Sequence, residues 1–164
     1  MKKIALLLLI FISFNSFSQE SDSSEFWDNI RFGGSFGLGF GNNTTTIAIA
    51  PNAIYDFSSN FSLGIGLGYQ YAKRDDIKNN VFSTSLLSFY NPIQEIQLSA
   101  EFEQLFVNRS FQGIKDNFSY PALYLGASYN VNRNIAIGFR YDVLFDENKS
   151  IYSSAISPVF RVFF

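Results

Sequence analysis

The sequence predicts an all-β chain: an eight-stranded antiparallel up-and-down transmembrane β-barrel, preceded by a cleavable signal peptide. Three observations carry the prediction. Apolar residues alternate with small or polar ones in segment after segment, the connections between those segments alternate between tight and long, and the chain opens on an export signal.

The opening MKKIALLLLIFISFNSFSQ has a basic start at Lys2 and Lys3, an apolar run from Ile4 to Phe14, and Ser16 and Ser18 on either side of Phe17. That is the layout of a secretory signal. The apolar run is shorter than the roughly 20 residues a membrane-spanning helix requires. Residues 1–18 are therefore expected to be a signal peptide, 19–29 a polar periplasmic spacer, and 30–164 the barrel.

Composition agrees. Of 164 residues 18% are aromatic and only 16% charged, and the 20 phenylalanines require an apolar environment. Cleavage after Ser18 removes two of the 12 basic residues and none of the 14 acidic ones, a net charge of about −4 that disfavours nucleic-acid binding. The chain has no cysteine, which excludes disulfides and a lipid-anchored cysteine at the cleavage site.

Strict alternation identifies β-strands, because successive side chains point to opposite faces of the pleat. In RFGGSFGLGFG (31–41), Phe32, Phe36, Leu38 and Phe40 share one face, and Arg31, glycines and Ser35 share the other. In TIAIAPNAIYDF (46–57), Ile47, Ile49, Pro51, Ala53, Tyr55 and Phe57 face one way. FSLGIGLGYQY (61–71) is the cleanest case, with Phe61, Leu63, Ile65, Leu67, Tyr69 and Tyr71 opposed to Ser62, Gly64, Gly66, Gly68 and Gln70. A water-facing side of a soluble sheet carries Lys, Glu and Thr rather than glycine. A glycine face fits the crowded interior of a narrow barrel, and the apolar face then meets lipid.

The fourth strand, VFSTSLLSFYN (81–91), is mixed and its orientation is left open. In the fifth (93–107), Ile96, Leu98, Ala100, Phe102 and Phe106 oppose Glu95, Gln97, Ser99, Glu101 and Glu103. The sixth (118–131) sets Leu123, Leu125, Ala127, Tyr129 and Val131 against Tyr120, Tyr124, Gly126, Ser128 and Asn130. In the seventh (135–145), Ile135, Ile137, Phe139, Tyr141, Val143 and Phe145 oppose Ala136, Gly138, Arg140 and Asp142. The eighth (156–164) sets Ile156, Phe160, Val162 and Phe164 against Ser157 and Arg161.

Tight turns are expected at 56–60, 91–92 and 131–134, and longer polar loops at 72–80, 108–117 and 146–155. Outer-membrane barrels alternate short periplasmic turns with longer extracellular loops, and only the short connection 41–45 departs from that order. Phe164 closes an amphipathic strand and is similar to the C-terminal aromatic residue that the barrel-insertion machinery reads as an address.

With these segments in view, the whole mature chain resembles the small eight-stranded outer-membrane barrels of the Bacteroidota. FWDNIRFGGSFGLGFG, PIQEIQLSAEFEQLFVN and RYDVLFDENKSIYSSAISPVFRVFF are the stretches that carry the likeness. The architecture is similar to the OmpA transmembrane domain. The resemblance implies the bacterial outer membrane as location and a barrel as fold. It supplies no catalytic motif.

Without histidine or cysteine, Ser-His-Asp and Cys-His nucleophile systems and imidazole or thiolate zinc sites are unavailable. The histidine-dependent barrel enzymes of the outer membrane are likewise not matched. The glycine runs do not match G-x-G-x-x-G or a phosphate loop with its lysine, so lumen packing is their expected role. Asp75 and Asp76 with Asp146 and Glu147 have the oxygen ligands for calcium, but solvated loop charge is the expectation. No enzyme activity, cofactor or metal is expected.

The alternation aims Arg31, Glu95, Glu101, Glu103, Arg140, Asp142 and Arg161 into the lumen. Glu95, Arg31 and Arg161 should form a lower tier, and Glu101, Glu103, Arg140 and Asp142 an upper one. Unpaired charge in so narrow a space is costly, so the groups should pair and plug the barrel. The expected role is a structural or interaction scaffold with polar surface loops, whose contact residues would be Tyr71, Lys73, Arg74, Phe111, Lys115 and Tyr152. A narrow small-solute channel and a soluble exported lipocalin-like carrier are the alternatives. Expected partners are outer-membrane lipid, the insertion machinery during biogenesis and an unidentified extracellular or outer-membrane protein.

Overall fold

The computed structural model describes residues 23–41, 44–111, 114–147, 149–152 and 154–164, so the expected signal peptide lies outside the described residues. Within the expected spacer, Ser23–Asp28 forms a short helix, α1, belonging to a unit separate from the barrel Arg31–Phe164.

Eight strands follow: β1 (Ile30–Gly41), β2 (Thr44–Asp56), β3 (Phe61–Arg74), β4 (Ile77–Ile93), β5 (Ile96–Phe111), β6 (Ile114–Asn132), β7 (Ile135–Asp142) and β8 (Ile156–Phe163). Each pairs with its neighbours in chain order, and the sheet closes into a barrel. At the closing seam Gly33, Gly34 and Ser35 of β1 lie opposite Phe163, Val162 and Arg161 of β8. The Phe164 N–H donates to the Phe32 carbonyl at 2.7 Å, so the last residue extends the seam. Closing a sheet on itself is the arrangement that lets strands satisfy their backbone hydrogen bonds in lipid.

The alternation read from the sequence sets the faces. Ile65 is 64% exposed on the outer wall, whereas Ile54, with similar chemistry, is 1% exposed because its position in β2 aims it inward. On β4, Val81, Ser83, Leu87 and Phe89 are buried in the lumen, and Phe82, Leu86 and Tyr90 stand outside. This strand is apolar on both faces because Leu87 and Phe89 join Ile54 and Phe163 in an apolar layer inside the barrel.

Two of the three expected long loops are strand. β3 and β4 stay paired up to Arg74↔Ile77, through Lys73↔Lys78 and Ala72↔Asn79. The two-residue turn is Asp75–Asp76, with Asp75 at φ 53°, a left-handed conformation that Asp tolerates better than most residues. β5 and β6 stay paired up to Phe111↔Ile114, with Arg109 opposite Asp116. Polar composition at 72–80 and 108–117 signals water, not loss of strand: the ladder supplies the backbone bonds, enough to hold Lys73 opposite Lys78 in the first hairpin, and Arg109 opposite Asp116 favours the pairing in the second. β4, β5 and β6 thus reach 17, 16 and 19 residues, beyond the roughly 9–11 that cross a hydrocarbon layer.

Glycine acts in two ways. A Cβ on Gly138 would lie 2.1 Å from the Ala127 carbonyl oxygen, so β6 and β7 approach closely only without one. At Gly37 a Cβ would meet only the Ala48 methyl, at 3.5 Å, and the glycine there borders open space.

Candidate functional site

The lumen is built in layers. At its base Arg31 donates to Asp56 through Nε at 2.6 Å and Nη2 at 2.8 Å, a bidentate pair. Ser62 donates to the same carboxylate at 2.6 Å. The Arg31 guanidinium also lies 5.0 Å over the Phe163 ring, which connects this pair to the apolar layer of Ile54, Leu87, Phe89 and Phe163.

Above that layer sits the central charge cluster. Glu101 of β5, Arg140 of β7 and Arg161 of β8 point inward because all three fall on the lumen phase of their strands. Glu101 Oε2 accepts from Arg140 Nη1 at 3.0 Å, and Oε1 accepts from Arg161 Nη2. Arg161 further donates to Gln97 at 3.2 Å, Ser128 at 2.8 Å and Ser99 at 3.0 Å. Its guanidinium packs over Phe89, and that of Arg140 lies 3.9 Å over the Tyr124 ring. Glu103 Oε2 lies 3.9 Å from Arg140 Nη1.

The top of the lumen is closed by the connection between β7 and β8. Ile151 and Tyr152 pack on a buried cluster of Val81, Leu105, Val107, Tyr120, Ala122 and Tyr124. The Ile151 N–H donates to the Tyr120 hydroxyl at 3.2 Å, and the Tyr152 hydroxyl donates to Gln70 Oε1 at 2.8 Å. Between this cap and Arg161 a cavity of about 480 Å³ remains.

Of the seven expected lumen charges, Glu101, Glu103, Arg140 and Arg161 come together, and Arg31 pairs below them. Arg161 belongs to the central cluster rather than to a lower tier, because it reaches Glu101. Glu95 is not in the lumen: it sits exposed in the Gln94–Glu95 turn, where the alternation of β5 has not yet begun. Asp142 is buried but serves the backbone, accepting the Leu123 and Leu144 N–H groups at 3.1 and 3.0 Å where β7 ends. Tyr152 faces the lumen and is not a surface contact. Asp56 was hidden by its place in DFSSN, which reads as a turn, and Gln97, Ser99 and Ser128 carried only the signal of their inward phase. Four buried polar atoms accept or donate no hydrogen bond among the described residues: Asn52 Oδ1, Asn91 Oδ1, Glu103 Oε2 and Tyr124 Oη.

No protein-family model matches the sequence, and no curated protein matches it. Three solved structures are similar in fold. Ail, the attachment invasion locus protein of Yersinia pestis, aligns over 82% of this chain and 90% of its own, at 14% identity and a TM-score of 0.44. Neisserial surface protein A aligns over 82% and 96%, at 17% identity and a TM-score of 0.43. A de novo designed transmembrane β-barrel aligns over 82% and 90%, at 14% identity and a TM-score of 0.39.

Proposed function

We propose that the chain is a bacterial outer-membrane barrel that acts as a structural or interaction scaffold, with a plugged polar lumen and the tips of its long hairpins outside the cell. The observation that carries this reading is an inverted distribution of polarity. Every strand places a large apolar residue on the outer wall, from Phe36, Ile49, Ile65 and Leu86 to Phe102, Leu125, Phe139 and Phe160, while the buried charges lie inside. A monomeric soluble barrel rarely exposes apolar patches larger than a few hundred Å², which counts against the lipocalin-like alternative.

Across β3, β4 and β5 aromatic side chains of the outer wall pair at two levels, with Phe102 alone between them. Phe61 and Tyr90 are paired near the base, and Tyr69, Phe82 and Phe106 sit side by side across β3, β4 and β5. Along β3 the two levels are separated by a rise of roughly 20 Å for a tilted strand, comparable to the apolar band between the aromatic girdles of membrane barrels. Phe164, exposed at the end of β8, fits the role of insertion signal. Tyr71, Lys73, Phe111 and Lys115 remain the contact candidates at the tips. The side chain of Arg74 lies outside the described residues.

The reading is tested by electrophoresis of outer-membrane fractions with and without boiling in detergent. A mobility shift, with the protein in the membrane, supports it; a soluble periplasmic protein without a shift overturns it. Single-channel recording separates scaffold from channel, since the plug predicts no steady open state.

A further inference from the structure

The cavity has a chemistry of its own. One side is bare: Gly66 and Gly68 of β3 and Gly37 of β1 contribute no side chain. Two of the unpartnered acceptors belong to residues that line the cavity, Asn52 and Glu103. Asn52 flanks the strip at its lower end: a Cβ on Gly66 would lie 3.5 Å from its Cβ and one on Gly33 3.2 Å from its Oδ1, while a Cβ on Gly68 would lie 3.7 Å from Glu103 Oε1. Asn52 Oδ1 and Glu103 Oε2 are the unpartnered atoms, and the Glu103 side chain is only 14% exposed. Leu87, Phe89, Leu105 and Tyr152 supply apolar lining.

The lining cations are already engaged by the protein. Arg161 spends Nη1 and Nη2 on Gln97, Ser128, Ser99 and Glu101. Arg140 is held between Glu101 and the Tyr124 ring. Glu101 takes both guanidiniums, so Glu103 is the carboxylate with capacity left. A buried acceptor without a donor is costly, and a carboxylate more so. The volume falls within the roughly 300–1,000 Å³ of small-molecule sites.

We propose that this cavity is a binding site for a small organic ammonium: a cationic amine that donates to Glu103 and Asn52 and lays a compact apolar body along the glycine strip. An ammonium carries donors and no acceptor, which matches the two orphans, and its charge offsets the carboxylate that Arg140 only approaches. The cavity is too small to enclose a phospholipid, and the occupant proposed is a free amine solute.

The experiment uses the folded chain in an amine-free detergent, with phenethylammonium as probe, phenethyl alcohol as its neutral counterpart and 3-phenylpropanoate as the anion. Saturable binding is followed by calorimetry and by backbone amide shifts at Gly66 and Gly68. The ammonium should bind at least ten times more tightly than the alcohol, and the anion should not bind. Glu103→Gln should weaken the ammonium at least tenfold. Gly37→Val, whose side chain enters the open space, should abolish binding and leave Glu103 untouched; the boiled-against-unboiled mobility shift checks folding in both variants. Absence of saturable binding, equal binding of the alcohol or anion, or unchanged affinity in Glu103→Gln or in Gly37→Val would overturn the proposal.

Discussion

Arg161 and Glu101 lie 60 residues apart in the chain and meet inside the barrel, guanidinium on carboxylate, with side chains 3% and 6% exposed. Removing one member of such a pair leaves the other buried and short of partners, which costs about 3–5 kcal/mol. Arg161→Ala should therefore lower the unfolding free energy by about that amount, since Gln97, Ser99 and Ser128 lose their partner as well. Urea unfolding of the barrel in lipid vesicles measures it.

Arg140→Ala should cost less, because Glu101 keeps Arg161. The lumen stays filled above by Tyr124, Leu105 and the Tyr152 cap, so the variant should be less stable without gaining a large conductance. A wide, stable open channel in planar bilayers would contradict the layered plug.

The cap depends on Tyr152. Tyr152→Phe removes the hydrogen bond to Gln70 and should loosen residues 143–155 by about 1 kcal/mol, read as faster amide exchange at Ile151. Burial, followed by the charge of Glu103, pushes the Tyr152 phenol above the ordinary tyrosine range. A group held neutral in the fold contributes stability that is present below pH of about 10 and lost as the pH rises toward its raised value. The phenylalanine variant should lack that alkaline loosening of the cap.

Two glycines of the lumen face should respond in opposite ways. Gly138→Ala drives a methyl into the backbone of β6 and should sharply reduce the folded fraction, whereas Gly37→Ala finds room and should fold as the parent does. The boiled-against-unboiled mobility assay compares the two.

The strands were legible because a wall between an apolar outside and a small or polar inside leaves a period of two in the sequence. β3 shows it without exception from Phe61 to Tyr71. β4 does not, since Leu87 and Phe89 fill an apolar layer of the lumen and erase the contrast. Extending the phase of β5 back to Glu95 failed because a turn interrupts it. Arg31 could be assigned inward, but not its partner Asp56, since contacts between strands depend on register and tilt. The inward fold of Tyr152 left no trace, because a loop that packs as a cap has no periodicity.

The unequal strand lengths have a consequence for self-association. β7 ends at Asp142, opposite Tyr124, while β6 continues back to Ile114 with β5 on its other side. Nine residues of β6, Ile114–Ala122, therefore run beyond both the β7 ladder and the Val143 N–H bond to the Leu123 carbonyl. A row of amides of this kind invites a neighbouring molecule to zip onto it. Its outermost residues include Lys115, Asp116 and Asn117, all exposed, and charged or strand-averse residues on an edge are the ordinary defence against such zipping. The polar tips thus guard crowded copies of the protein against growing into one continuous sheet.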